Sequence, residues 1–282
     1  MKSRAKINLS LKVVGHREDG YHLMEMVFVP LELHDVLTIE VMKYATDSYI
    51  TCDDVGLRSA RHNLCLKALA AMRKEFGFKE QFEIDIHKEI PYAAGLGGGS
   101  SNAACTMLAI NKLLNLNADQ DTLRRIGLSV GADVPYFFST GPAYVSGIGE
   151  DIAPIKMKES YPCLIVKPKA GLKTEDVFNE LDNDSSRLPI DTPKVIEGLE
   201  SGNEALIAEN RGNDLLAPAS GLLPEVGELA ESLRNDFGFA ISGMSGSGSA
   251  CFALSKDIQK LKAAQRHYLR LGCVSILTRT LL

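Results

Sequence analysis

The chain is 282 residues long, 45% hydrophobic and 24% charged, with a formal net charge of −5. This is ordinary globular composition, enough for one large domain or two modest ones with a buried core. The negative balance gives a nucleic-acid role no support, and no run approaches the ~18 apolar residues of a membrane span. The basic start MKSRAKINLSLKVV is interrupted by Lys12 and lacks a signal-peptide apolar region. Cys52, Cys65, Cys105, Cys163, Cys251 and Cys273 form no C-x-x-C pair, so neither a zinc knuckle nor a redox motif is indicated. Buried free thiols in a reducing cytoplasm are the simpler reading. The chain is expected to work as a monomer or weak homodimer, without nucleic-acid or membrane partners.

Ile7, Leu9, Leu11 and Val13 alternate with Lys6, Asn8, Ser10 and Lys12, the pattern of a strand with one buried face. Asp19-Gly20 is a turn signal, and LMEMVFVPLEL and DVLTIEVM read as two further strands. Asn63 to Phe76 reads as a helix. Phe82, Ile84 and Ile86 alternate in a strand that runs into a glycine loop, and Ala103, Met107, Ile110 and Leu114 recur at helical spacing after it. Asp121 to Val130 is a second helix stopped at Gly131. A polar break at Lys158 to Pro162 precedes the strand CLIVKP, a short helix over Glu175 to Leu181 and a loop from Asn183 to Pro193. Helices around 193–209 and 224–237, a strand–turn–strand in GFAISGMSGSGSACFAL, a helix over 257–270 and a closing strand VSILTRTL complete the chain. Hairpins with segregated helices make this an α+β protein.

The loop PYAAGLGGGSSN, residues 91–102, concentrates glycines between a strand and a helix. A P-loop needs Lys and Ser/Thr after the last Gly, and Gly99 is followed by Ser100 and Ser101. A dinucleotide loop needs a third Gly where Ser100 stands, and its acidic partner would end a strand, whereas Asp119 and Asp121 begin a helix. What remains is general physics: glycines let backbone approach an anion, and a helix beginning near Ser101 offers free N–H groups and a positive dipole end. Ser100 and Ser101 can cap that helix, bond phosphate oxygens or reach a metal ion. A capped loop without a ligand is the bland alternative.

PYAAGLGGGSSNAA resembles the ATP-binding motif P-x-x-x-G-L-G-S/G-S-S/A of the GHMP kinases. AKINLSLKVVGHREDGYHLMEMVF is similar to the N-terminal motif of the branch acting on cytidine-linked methylerythritol. GADVPYFF, at 131–138, resembles the stretch carrying that branch's catalytic aspartate, and SGMSGSGSACFAL resembles the family's C-terminal glycine-rich motif. These segments span almost the whole chain in the expected order.

The resemblance implies an N-terminal domain like the second domain of ribosomal protein S5 over 1–157 and a ferredoxin-like C-terminal domain over 158–282, with ATP and Mg²⁺ as cofactors. The implied reaction moves the γ-phosphoryl of ATP to the 2-hydroxyl of 4-diphosphocytidyl-2-C-methyl-D-erythritol. Lys6 and Asp133 are implied as catalytic. The ammonium would orient an aspartate and offset charge, and the carboxylate would receive or orient the hydroxyl proton. Without the resemblance, Lys6 and Asn8 would read as a solvated face and Asp133 as a cap or Asx turn. Pro91, Tyr92, Ala93, Ala94, Gly95, Leu96, Gly97, Gly98, Gly99, Ser100 and Ser101 are implied to bind ATP. Asn63 would serve the adenine side or cap a helix. Ser101 is one candidate for a metal contact and Glu150 a weaker one. Asn8, Tyr21, His22, Thr174 and Phe178 are implied on the substrate side. Tyr21 and Phe178 would sandwich cytosine while His22 reads its polar edge, although Tyr21 could equally open a hairpin strand and Phe178 could be core. A GHMP kinase for another small alcohol, such as homoserine or mevalonate, and a nucleotide-binding sensor without catalysis remain as alternatives.

Overall fold

The computed structural model describes residues 1–18, 20–53, 63–183 and 187–282; Asp19 of the expected turn, and Asp184 to Ser186 of the expected loop, lie outside them. Strands β1 to β4 span Lys2–His16, His22–Met42, Tyr49–Cys52 and Gln81–His87. β5 and β6 are Ala143–Gly147 and Asp151–Pro154, and β7 to β10 are Pro162–Lys167, Ile241–Met244, Cys251–Leu254 and Val274–Arg279. Helices α1 to α3 are Leu64–Phe76, Gly98–Leu113 and Gln120–Val130. After a 3₁₀ turn at Pro135–Phe138 come α4 (Thr174–Asp182), α5 (Thr192–Ser201), α6 (Glu204–Asn210), α7 (Leu216–Leu222), α8 (Pro224–Asn235) and α9 (Ile258–Arg270). The chain is α+β and divides into two compact units.

The first unit comprises Met1–Ala5, Leu33–Pro91 and Gly97–Thr140. Its strands are β3, β4 and the second half of β2. β4 runs antiparallel to β2, from Val36 opposite His87 to Met42 opposite Gln81, and parallel to β3. The alternation seen in the sequence turns Phe82, Ile84 and Ile86 onto one face. That face is covered by Leu69 and Met72 of α1, Ala103, Met107 and Ile110 of α2, and Leu123 and Ile126 of α3. These side chains are the core on which the start of α2 is held.

The second unit comprises Lys6–Glu32, Tyr92–Leu96 and Gly141–Leu282. In it β5 pairs with the first half of β2, Met24 opposite Gly147 through Phe28 opposite Ala143, and β6 pairs with β5. A second, four-stranded sheet has the order β10-β7-β9-β8, all antiparallel. Helix α9 lays its apolar face, Leu261, Ala264 and Tyr268, inward.

Four expectations change. The two strands expected between Leu23 and Met42 are one strand of 21 residues. The apparent break, His34-Asp35, is absorbed because the Asp35 carboxylate is fully buried and satisfied by the N–H groups of Glu89 (2.9 Å) and Ile90 (2.8 Å), by Asn102 Nδ2 (3.0 Å) and by Lys88. The helix expected over 193–209 is two, because Gly202 ends α5 and Asn203 caps α6. Strand β1 is buried on both faces: Lys6, Asn8 and Ser10 are as enclosed as the apolar residues between them. Strands β3, β5 and β6 and helix α7 were not anticipated.

Candidate active site

The glycine loop joins the two units in sequence, passing from the second to the first between Leu96 and Gly97. On the first-unit side α2 starts at Gly98 with Gly97 as its N-cap, not near Ser101, and no side chain caps it. The Ser101 N–H is already bonded to Gly97 O at 2.9 Å, so the N–H groups of Gly98, Gly99 and Ser100 precede the helical ladder and point out of its positive end. Ser101 therefore caps nothing; its hydroxyl is buried and accepts from Ser3 Oγ at 2.7 Å. Gly98 is packed against Ile90, and a Cβ there would lie 3.0 Å from that side chain. The strand-to-loop segment is held in turn by the Asp35 cluster.

Around this helix start the first unit gathers the other expected groups. Leu64 at the head of α1 packs near Gly99, and Asn63 caps α1, its Oδ1 accepting from Cys65 N at 2.9 Å. Gly131, at the end of α3, faces Ser100 Oγ at 4.0 Å from its Cβ direction. Asp133 follows in a tight turn closed by Val134 N–H to Gly131 O (3.0 Å), half-buried. It is not the cap of the 3₁₀ turn, whose N-cap is Val134. Burial, and secondly the Asp133 charge, hold the Tyr136 phenol well above its ordinary pKa.

In the second unit, Lys6 is almost fully enclosed. Its ammonium donates to Asn8 Oδ1 and stands 4.3 Å above the Phe28 ring, while its N–H donates to Leu96 O at 3.0 Å. The strand carrying Lys6 is thereby pinned to the loop. Asn8 N–H donates to Ser245 Oγ (3.0 Å), and Ser245 Oγ donates to Gly95 O (2.9 Å). Ala250 N–H donates to Ala94 O at 3.2 Å. The C-terminal Gly/Ser loop thus packs on the first half of the glycine loop. Gly95 has φ +71° and a Cβ there would sit 2.0 Å from Ser245 O, so no other residue fits.

The chain matches the family model for the GHMP kinases N terminal domain over residues 63–141 and that for the GHMP kinases C terminal region over 195–271. A curated relative from Clostridium perfringens (strain 13 / Type A), named 4-diphosphocytidyl-2-C-methyl-D-erythritol kinase, is 37% identical over 258 residues, covering 92% of this chain and 89% of that one. The chain belongs to the GHMP kinase family. It is an enzyme, a kinase. A crystal structure of 4-(cytidine 5'-diphospho)-2C-methyl-D-erythritol kinase aligns with a TM-score of 0.79 at 30% identity, covering 99% of this chain and 98% of that one. A homoserine kinase from Cytophaga hutchinsonii shares the fold, with a TM-score of 0.74 at 19% identity and coverage of 100% and 96%.

The remaining residues expected at the site lie in the second unit. Tyr21 is 57% exposed, and the adjacent His22 is buried. The Phe178 ring centre is 4.6 Å from that of His22, so Phe178 packs on this histidine while its neighbour Val177 enters the core. His22 Nε2 and His16 Nε2 both meet Asp182 Oδ1, at 2.8 and 3.0 Å. The two imidazoles, His22 first, hold the Asp182 carboxyl below the ordinary range. Thr174 Oγ1 is 2.9 Å from Ser247 Oγ of the C-terminal loop. Glu150 accepts from Ile148 N–H at 2.6 Å and lies 3.9 Å from Arg17, so its carboxylate is already engaged.

Sequence reasoning missed Asp35, Ser3, Asn102 and Asn213. Asn213 Nδ2 donates to Met244 O (3.0 Å) and Gly246 O (2.9 Å) and fixes the Gly/Ser loop from behind. Its signal was the polar GND triplet between two apolar helices.

Proposed function

We propose that this kinase transfers the γ-phosphoryl of ATP to the 2-hydroxyl of 4-diphosphocytidyl-2-C-methyl-D-erythritol, an early step in the non-mevalonate route to isoprenoid precursors. The observation that carries the reading is the exposed Tyr21 beside the His22–Phe178 ring pair. A kinase for a small aliphatic alcohol has no use for stacked rings, whereas a nucleobase gains ~1–3 kcal/mol from each stacking face.

Residues 1–157 are taken as the ATP-side domain and 158–282 as the substrate-side domain. Pro91 to Ser101 would receive the nucleotide phosphates. The three N–H groups ahead of the α2 ladder suit phosphate oxygens, and the lack of side chains at Gly97 and Gly99 would let phosphate approach the backbone there. Asn63, whose Oδ1 is committed to its helix, would offer its Nδ2 to the adenine side. Mg²⁺ would accompany ATP and offset phosphate charge. The Ser101 oxygen accepts one bond from Ser3, and its second lone pair would be its contribution to holding the hydrated metal.

Phosphoryl transfer passes through a loose transition state, so positioning and charge compensation dominate. Asp133 would accept or orient the proton of the attacking hydroxyl. Lys6, held by Asn8 and the Phe28 ring, would offset developing negative charge. Asn8 and Thr174 would line the substrate, Tyr21 and Phe178 would stack on cytosine, and His22 would read its edge. Five of the six free thiols are buried, which fits work in a reducing cytoplasm. Among the described residues no helix is long and apolar enough to cross a membrane.

The test is incubation with ATP and the cytidine substrate, with the product read by phosphorus NMR. A new monoester at the 2-hydroxyl with release of ADP is expected. ATP binding without transfer would leave a sensor.

A further inference from the structure

Three side chains next to the proposed base pocket have ligand atoms that converge on one point. His16 closes β1, His22 opens β2 and Asp182 ends α4, so each is fixed by a different element. Their ligand atoms all lie within 4.8 Å of one another. Both Nε2 atoms already contact the same carboxylate oxygen, at 2.8 and 3.0 Å, and the two imidazole centres are 3.8 Å apart. In a tetrahedron with bonds of ~2.0–2.1 Å, ligand atoms stand roughly 3.3 Å apart. For each imidazole and the carboxylate, seating an ion therefore needs an opening of only a few tenths of an ångström.

We propose that His16, His22 and Asp182 form a site for a single zinc-class transition-metal ion, and that its occupancy takes His22 away from the substrate. Two imidazoles and one carboxylate are a donor set suited to zinc, leaving a fourth position for water. To coordinate, each neutral imidazole carries its proton on Nδ1 and presents the Nε2 lone pair. Magnesium, a hard cation that prefers an octahedron of oxygens, does not compete for such a set. The Mg²⁺ that accompanies ATP is consequently no rival. His22 is preorganised by the Phe178 ring, while the side chains of His16 and Asp182 are 48% and 46% exposed and leave an entry path. Only the link to substrate rests on the assignment of His22 to the base pocket; the metal site itself does not.

The test is calorimetric titration of the nucleotide-free protein with zinc chloride, alongside cobalt(II) absorption, whose visible bands report tetrahedral coordination. One equivalent is expected in the wild type. His16→Gln, at an exposed position that the proposed reaction does not use, should weaken zinc by about tenfold or more, and Asp182→Asn should do the same. In kinase assays at buffered free zinc, the apparent KM for the cytidine substrate should rise with zinc at unchanged kcat in the wild type. His16→Gln should keep full activity and lose the zinc effect. Absence of zinc binding, or binding unchanged in both variants, overturns the site. Zinc bound through these three residues with the substrate KM unmoved overturns the shared use of His22, and leaves the ATP-side reading untouched.

Discussion

Replacing Gly95 by Ala isolates the contact between the two glycine-rich loops. Gly95 and Gly77 have the same backbone angle, φ +71°, but different surroundings. At Gly77, which ends α1, nothing lies within 4 Å of an added Cβ; at Gly95 that atom would be 2.0 Å from Ser245 O and 2.9 Å from Ser245 C. Both substitutions carry the left-handed penalty of ~1–2 kcal/mol. Only Gly95→Ala also forces apart two backbones, a repacking that costs roughly 1–3 kcal/mol more. Backbone cannot swing away as a side chain can, and Ser245 is further tied to Asn8. Gly95→Ala should therefore lose ~2–5 kcal/mol against ~1–2 for Gly77→Ala. Urea unfolding of the two variants beside the wild type gives the comparison. Equal losses would refute the claim that the loops are in obligatory contact.

Asp133→Asn and Lys6→Met should each lower single-turnover phosphoryl transfer at least ~100-fold while ATP still binds, and the double variant should be little worse than the poorer single one. Near-normal transfer by Asp133→Asn would remove that residue from the chemistry. Tyr21→Ala should weaken the cytidine substrate by ~1–3 kcal/mol and spare ATP, as read by titration with each ligand; equal losses would point to folding instead. Lys88→Met leaves the buried Asp35 carboxylate without its cation, and should cost ~3–5 kcal/mol in urea unfolding. Burial pushes the Cys65 and Cys251 thiols up to about 12, so at pH 8 only about one in 10⁴ is thiolate. In the native protein a thiol reagent at that pH should modify half-exposed Cys273 first and leave these two for the unfolded chain.

Much of this was legible from local pattern. The alternation in Phe82, Ile84 and Ile86 and the helical spacing after the glycine loop are one-dimensional signals, and the structure keeps them. What sequence could not supply was the environment of polar residues. Lys6 and Asn8 look like a solvated face because nothing local shows that Phe28, Leu96 and Ser245 will enclose them. Asp35 looks like a break because the N–H groups that satisfy it lie more than 50 residues away in sequence. Ser101 looks like a cap because serine usually is one, yet the glycines start the helix themselves and turn that hydroxyl to Ser3. In each case a long-range contact decided the role of a short polar side chain.

The central claim is the identity of the phosphoryl acceptor. A coupled assay of ADP release from Mg·ATP, run with 4-diphosphocytidyl-2-C-methyl-D-erythritol, homoserine and mevalonate in parallel, compares kcat/KM for the three alcohols on one protein. The account predicts turnover with the cytidine compound and at least a ~100-fold lower kcat/KM for the other two, since neither offers a base to Tyr21, His22 and Phe178. Turnover of homoserine or mevalonate at a rate equal to or above that of the cytidine compound would contradict it.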